Sequence, residues 1–122
     1  MPFKLRPEVR QAVHKKHKGR CGYCGVAINY KQMQVDHIIP KVGCHIEPRG
    51  WTKGTDSFEN LMPACRRCNY WKHSHSVEEF RKEISLQHER LKRDARGYNL
   101  ACDFGLVKPT AKKVVFYFER KL

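Results

Sequence analysis

The chain contains 122 residues, and its 25 lysines and arginines outnumber 12 aspartates and glutamates, which gives a formal net charge of +13 with histidine neutral. This length is typical of one domain, a hydrophobic content of 40% excludes a disordered chain, and the lack of a long apolar run excludes a transmembrane helix. The excess positive charge favours nucleic acid as a partner over a membrane surface, or over a basic surface with no partner. Residues 1–10 lack the apolar segment of a secretory signal, so a cytoplasmic location is expected.

The first half of the chain predicts a helix, a strand and a long loop. Residues 7–18 are basic, carry a thin apolar stripe and precede Gly19, which favours a short flanking helix. Residues 33–39 contain β-branched side chains, and Pro40 prevents their continuation as a central strand. Residues 41–57 hold four glycines or prolines and predict a loop long enough to be functional.

The second half predicts a second strand, two helices and a terminal strand. A short strand is expected at 60–63 and is followed by a helix from about residue 65 to His73. Apolar side chains then recur at helical spacing over 77–96, which predicts the second flanking helix. Valine and aromatic residues at 113–118 predict a C-terminal strand.

Four of the six cysteines form two CxxC pairs. Two-residue spacing brings both thiolates of a pair within reach of one ion, and two pairs complete a tetrahedral zinc site. A redox dithiol or two disulfides are the alternatives, but the doubled motif and the lack of a secretory signal favour structural Zn²⁺. The predicted zinc ligands are Cys21, Cys24, Cys65 and Cys68. Cys44 and Cys102 have no CxxC partner and are expected to be reduced thiols.

Polar residues in a specific order lie between and beside the cysteine pairs. The segments are Cys-Gly-Tyr-Cys-Gly at 21–25, Val-Asp-His-Ile-Ile-Pro at 35–40, and Glu-Asn-Leu-Met-Pro-Ala-Cys-Arg-Arg-Cys-Asn at 59–69, followed by Lys72. Any one segment alone is a weak signal, whereas the combination is specific. Together they closely resemble the HNH endonuclease family, over about residues 19–72.

This resemblance implies an α+β fold. The expected architecture is a ββα-metal (His-Me finger) nuclease core of two strands and a helix, with a structural four-cysteine zinc site and flanking helices. Residues 1–122 are expected to form a single HNH nuclease domain with its core at 19–73. The order of strand, long loop, short strand and helix, predicted separately from the residues, agrees with this plan.

The family pattern also assigns catalytic roles. It makes His37 the general base, a role that suits imidazole because the neutral ring is abundant at cellular pH, and it makes Asn60 the residue that orients the ring through its other nitrogen. Asp36 and Asn69 are expected to hold a catalytic Mg²⁺ or Mn²⁺, because both offer oxygen ligands. Asn69 stands where the family often has histidine, and His73, four residues further along the predicted helix, is a candidate third ligand. Because Asp36 and His37 are adjacent, a regular strand would point them to opposite faces, so the strand must end or twist there for both to serve one site.

The expected function is therefore hydrolysis of phosphodiester bonds in DNA, with the 5′-phosphate and 3′-hydroxyl ends that the resemblance implies. Arg66, Arg67 and Lys72 are expected to hold substrate phosphates, or else to form a solvated basic face. Two other functions remain open, a non-catalytic zinc-dependent nucleic-acid-binding module and a zinc-stapled interaction protein. Taken singly, the aspartate and histidine also fit a surface ion pair, and Asn60 fits a cap. RNA as a substrate and the oligomeric state are left open.

Overall fold

The computed structural model describes residues 5–120, which separate into two compact units. One unit comprises residues 5–77 and 115–120, and the other comprises Glu78–Val114. The single domain expected over residues 1–122, a range that includes terminal residues outside the described part, stays a prediction. Within residues 5–120, every helix is too short or too polar to serve as a membrane span.

The first unit contains two helices and four short strands. In chain order these are α1 (Pro7–Lys16), β1 (Gln34–His37), β2 (Cys44–Ile46), β3 (Gly50–Thr52), β4 (Leu61–Ala64) and α2 (Arg66–Lys72). Single 3₁₀ turns lie at Tyr30–Gln32, Phe58–Asn60 and Tyr117–Glu119.

The strands pair into two antiparallel sheets. In the first sheet β1 pairs with β4, so that Asp36 lies opposite Met62 and His37 opposite Leu61. The second sheet is a hairpin of β2 and β3, which occupies the segment predicted as an irregular loop. The chain passes from β4 directly into α2, so β1, β4 and α2 form the ββα arrangement. The predicted α+β class is confirmed.

Helix α1 ends at Lys16, two residues earlier than predicted. Lys18 and Gly19 adopt positive φ angles of 57° and 75°, and a left-handed conformation at this point ends a helix. The apolar stripe of α1 is thin but sufficient, because Val13 packs with Met33 and Leu61 in the buried core cluster of the first unit.

The second unit is built from three helices in place of the single helix predicted at 77–96. They are α3 (Val77–Ser85), α4 (Gln87–Asp94) and α5 (Arg96–Asp103). At the first break, the hydroxyl of Ser85 donates to the carbonyl of Lys82 at 2.7 Å. A serine side chain that bonds a nearby carbonyl competes with the backbone hydrogen bonds of the helix. The spacing of apolar residues, on which the prediction depends, carries no information about this effect.

The prediction of a C-terminal strand at 113–118 is wrong, because the described structure has no strand there. The backbone N–H groups of Tyr117 and Phe118, which lie within the 3₁₀ turn, donate to the carbonyls of Tyr23 and Gly22 at 2.9 and 2.8 Å. Phe116 is buried, with its ring centroid 5.3 Å from that of Tyr23 in an edge-to-face contact. Aromatic packing therefore fixes this segment, where the sequence predicted pairing in a sheet.

Candidate active site

Two local turns present the four cysteines to one another. In the first, the N–H of Gly25 donates to the carbonyl of Cys21 at 2.9 Å, and Gly25 adopts a φ of 82° that glycine tolerates without strain. This turn carries Cys21 and Cys24. In the second, Cys65 caps the N-terminus of α2 and its sulfur accepts from the N–H of Cys68 at 3.4 Å. Backbone geometry thus positions each pair.

The spacing and type of these side chains fit zinc. The four ligand sulfurs all lie within 4.8 Å of one another, and those of Cys24 and Cys65 are 3.8 Å apart. A tetrahedral Zn²⁺ at about 2.3 Å from each sulfur would separate the sulfurs by about 3.8 Å. Over residues 5–120, these cysteines are the one group of three or more His, Cys, Asp or Glu side chains close enough to share an ion. The donor set is that of a structural zinc site.

The proximity of the thiols also explains why a cation belongs among them. A hydrogen bond from the Cys68 thiol lowers the pKa of Cys21 to about 4, and the same bond together with burial raises the pKa of Cys68. One thiolate therefore suppresses the ionisation of its neighbour, and four thiolates at this spacing need a cation to offset their repulsion. Arg67 bonds the sulfur of Cys24, which raises the pKa of the guanidinium.

The carboxylate of Asp36 lies at the junction of β1 and α2. Only 4% of this residue is exposed. Its Oδ2 accepts a hydrogen bond from the hydroxyl of Tyr23 and lies 3.1 Å from Nζ of Lys72. Burial raises the pKa of Asp36, against the opposing attraction of Lys72, and burial also raises the pKa of Tyr23, which stays protonated and donates.

Lys72 joins the helix to the strand and does not face solvent. It is fully buried, and its Nζ also donates to the backbone carbonyl of His37 at 3.1 Å. A buried ammonium group needs these oxygen partners, so Lys72 bonds within the protein in this structure, and its contact with a substrate phosphate stays a prediction. Arg66 and Arg67 are exposed on the same helix, and their contacts with phosphate stay a prediction.

The ring of His37 contacts the loop that follows β3. Its Nε2 lies 2.9 Å from Oδ1 of Asp56, and 16% of the side chain is exposed. The adjacent residues Asp36 and His37 of β1 thus have different surroundings, because successive side chains of a strand point to opposite faces. Sequence reasoning missed Asp56, since the only signal was an acidic residue in a polar loop, and it missed the bond from Tyr23 to Asp36.

Asn60 acts on the backbone and not on the imidazole as predicted. Its Oδ1 accepts from the N–H of Ile39 at 2.8 Å, and its Nδ2 donates to the carbonyls of Ile39 and Thr55 at 3.0 and 2.8 Å. These bonds use both amide protons. The side chain clamps the backbone just after His37 to the loop that carries Asp56, because the turn at 58–60 brings it across from the end of β1.

Replacement of Gly54 by alanine is expected to open this clamp. A Cβ at position 54 would lie 1.7 Å from the carbonyl oxygen of Ile39 and 2.9 Å from Nδ2 of Asn60, so the two segments must move apart. We expect the free energy of unfolding, measured by urea denaturation, to fall by about 1–3 kcal/mol.

Gly97→Ala is the matched control for Gly54→Ala. Nothing lies within 4 Å of a Cβ added at position 97, and alanine is favoured over glycine in a helix such as α5 by about 1 kcal/mol. Equal free energies of unfolding for the two variants would contradict the claim that close packing of Gly54 against Ile39 and Asn60 stabilises the fold.

The two remaining candidate ligands lie at and beyond the end of α2. Asn69 is three residues before Lys72, and this spacing places it on the side of the helix that meets Asp36. Its role as a metal ligand stays a prediction. His73 follows the last helical residue, with a φ of 46° and an exposed side chain. The regular helical spacing that suggested His73 as a third ligand therefore does not extend to it, and that role also stays a prediction.

Comparison with known proteins matches this region to an enzyme family. Residues 21–75 match the family model described as HNH endonuclease. The chain is 29% identical over 106 residues to a CRISPR-associated endonuclease Cas9 of Corynebacterium diphtheriae, a match that covers 83% of this chain and 9% of that protein. It is 32% identical over 72 residues to a CRISPR-associated endonuclease Cas9 of Actinomyces naeslundii, a match that covers 59% of this chain and 6% of that protein.

A solved structure shares the fold. The crystal structure of the Type II-C Cas9 enzyme from Actinomyces naeslundii aligns with a TM-score of 0.53 and 26% sequence identity, over 68% of this chain and 9% of that chain. The present chain thus spans less than a tenth of the length of the relatives that it matches.

Proposed function

We propose that residues 21–75, which match the HNH endonuclease family model, belong to that family, and that this protein is a metal-dependent endonuclease that hydrolyses phosphodiester bonds in DNA. The observation that carries the proposal is the meeting of β1 and α2. Nζ of Lys72 lies 3.1 Å from both Oδ2 of Asp36 and the carbonyl oxygen of His37. This contact brings the helix that carries Asn69 against the strand end that carries the carboxylate and the imidazole.

The side chains at this junction fit a divalent cation. Tyr23 and Lys72 contact Oδ2 of Asp36, so the candidate ligand atoms are the second carboxylate oxygen, Oδ1, and the side-chain amide oxygen of Asn69. Carboxylate and amide oxygens suit Mg²⁺ or Mn²⁺, so Asp36 and Asn69 would hold the ion, with His73 as the candidate third ligand. When bound, such an ion acts as a Lewis acid and stabilises the leaving oxygen.

His37 is the general base in this proposal. It takes a proton from the water that attacks the phosphorus atom, a role that typically contributes about 10²- to 10⁴-fold to a rate. Lys72 holds the carbonyl of the same residue, and Asn60 holds the next part of the chain. The backbone that directly follows the imidazole-bearing Cα is therefore fixed while the proton moves.

Basic side chains supply the affinity for DNA. Arg66 and Arg67 are exposed on α2, and the chain carries a net charge of +13. Contacts of this kind with phosphate are blind to sequence and weaken as salt rises. Because the zinc ligands must be reduced thiols, and the six cysteines form no disulfide in the described chain, we place the protein in a reducing compartment, the cytoplasm.

A non-catalytic zinc-dependent nucleic-acid-binding module is the second candidate function. The observation that favours it is the burial of Asp36 and its ion pair with Lys72, which give this carboxylate a structural partner other than a metal ion. A module of this kind would bind DNA and leave it intact.

Nicking of a supercoiled plasmid across a series of Mg²⁺ and Mn²⁺ concentrations tests the proposal. We expect cleavage only with added divalent ion, and we expect Asn69→Ala to raise the ion concentration for half-maximal rate by at least about tenfold. Asn99→Ala, which changes an exposed amide on α5, is the control and should behave as the unmodified protein. Bound but intact plasmid at every ion concentration would support the binding module, and a normal ion requirement in Asn69→Ala would refute the ligand assignment.

A further inference from the structure

The carboxylate of Asp56 bridges the imidazole of His37 and the ammonium group of Lys41. Oδ1 of Asp56 lies 2.9 Å from Nε2 of His37, and Oδ2 lies 2.9 Å from Nζ of Lys41. Asp56 is 45% exposed, and exposed ion pairs contribute only about 0–1 kcal/mol to stability. The arrangement therefore adds little to the fold, although it determines what the imidazole contacts.

The loop is built to keep Asp56 at this position. Just before it, the N–H of Gly54 donates to the carbonyl of Pro40 at 2.8 Å, and Nδ2 of Asn60 donates to the carbonyl of Thr55 at 2.8 Å. The same amide of Asn60 also bonds the backbone that follows β1. The strand end that carries the imidazole and the loop that carries the carboxylate are thus tied to one side chain.

The chemistry of a carboxylate decides which ring nitrogen carries the proton. Hydrogen bonds from Lys41 and His37 lower the pKa of the Asp56 carboxyl, so it is ionised at neutral pH. An ionised carboxylate can only accept hydrogen bonds, and Nε2 of His37 must therefore bear a hydrogen. The neutral ring is then the tautomer with its lone pair on Nδ1.

We propose that Asp56 is a positioning residue that holds the imidazole of His37 in the Nε2–H tautomer and in a fixed orientation. The catalytic consequence rests on the proposed function. A proton passes from the attacking water to Nδ1, the hydroxide oxygen bonds to phosphorus, and the bond from phosphorus to the 3′-oxygen breaks, with that oxygen taking a proton from solvent. The negative charge of Asp56 stabilises the imidazolium that forms, and Lys41 steadies the carboxylate through its second oxygen.

Steady-state cleavage kinetics test the role of Asp56 in the zinc-loaded protein. We expect Asp56→Ala to lower kcat by about 10- to 100-fold with KM unchanged, because the residue acts through the imidazole and not on DNA. Asp56→Glu should recover most of the rate, since it restores an anionic acceptor. Asp103→Ala removes an exposed carboxylate on α5 and should leave both constants as they are. An unchanged kcat in Asp56→Ala, or a change in KM alone, would overturn the catalytic part of the proposal.

Nuclear magnetic resonance of the ring nitrogens of His37, without DNA, provides a readout that is independent of cleavage. We expect one tautomer, protonated at Nε2, in the unmodified protein and in Asp103→Ala, and an exchanging mixture of tautomers in Asp56→Ala. Ring signals that are identical in all three proteins would overturn the proposal whatever the kinetics. If the unmodified protein cleaves no DNA, the proposed function fails, whereas the ring signals still decide whether Asp56 holds the imidazole.

Discussion

Replacement of His37 by alanine is expected to slow plasmid nicking by about 10²- to 10⁴-fold and to leave DNA binding intact. The substitution removes the ring that accepts the proton of water. It retains the backbone carbonyl that accepts from Lys72 at 3.1 Å, so the junction of β1 and α2 should persist. Single-turnover cleavage at saturating protein measures the loss, and fluorescence anisotropy of labelled DNA measures the affinity.

His45→Ala is the matched control for the loss of His37. His45 in β2 also pairs with a carboxylate, through a 2.7 Å contact of its Nε2 with Glu47, and 60% of its side chain is exposed. This variant therefore loses the same kind of side chain and ion pair at a position outside the candidate site, and it should cleave at the normal rate. Equal cleavage by His37→Ala and His45→Ala would show that another group activates the water.

Substitution of Cys65 by serine is expected to unfold the first unit at moderate temperature. The sulfur of Cys65 lies 3.8 Å from that of Cys24 and caps α2 by accepting from the N–H of Cys68. Structural zinc supplies about 10–16 kcal/mol of apparent binding free energy, which is comparable with the whole stability of a domain, about 5–15 kcal/mol. Loss of one ligand therefore removes enough free energy to melt the unit, and cleavage should disappear with it.

Zinc content by atomic absorption and thermal melting by circular dichroism measure this effect. Cys102→Ser is the control, because Cys102 lies on α5 outside the cluster and the variant should retain both its zinc and its melting temperature. A Cys65→Ser protein that is folded and holds as much zinc as the control would refute the assignment of four cysteine ligands.

The sequence predicted the centre of the fold well, because the relevant signals are local. Cysteine spacing, the proline that follows β1 and the transition from β4 to α2 each depend on a few consecutive residues. The failures involve competition or distance. The helix breaks at Ser85, where the hydroxyl bonds the carbonyl of Lys82. The segment predicted as a strand at 113–118 instead packs through Phe116 against Tyr23, which lies 93 residues earlier in the chain (116 − 23).

The candidate site shows the same division between what is local and what is not. The order of residues identified Asp36, His37, Asn60 and Asn69 as the polar set near the cysteines, and the structure brings their elements together. It does not support the partners that were predicted for them. Asn60 bonds backbone, Asp56 contacts the imidazole, and Lys72 is buried. Side-chain partners depend on which loop packs against which strand in the folded protein, and a short sequence motif does not specify such contacts between distant segments.

The late closure of the first unit has a consequence for biosynthesis. Residues 115–120 belong to the unit that begins with residues 5–77, yet Glu78–Val114 separates them in the chain. During translation, Tyr23 lacks its aromatic cover until the ribosome has added that intervening segment, a delay of about 2–7 s at the usual rates of elongation. Because the hydroxyl of Tyr23 donates to Asp36, the nascent polypeptide completes the surroundings of this carboxylate only after Glu78–Val114 and residues 115–120 have been synthesised.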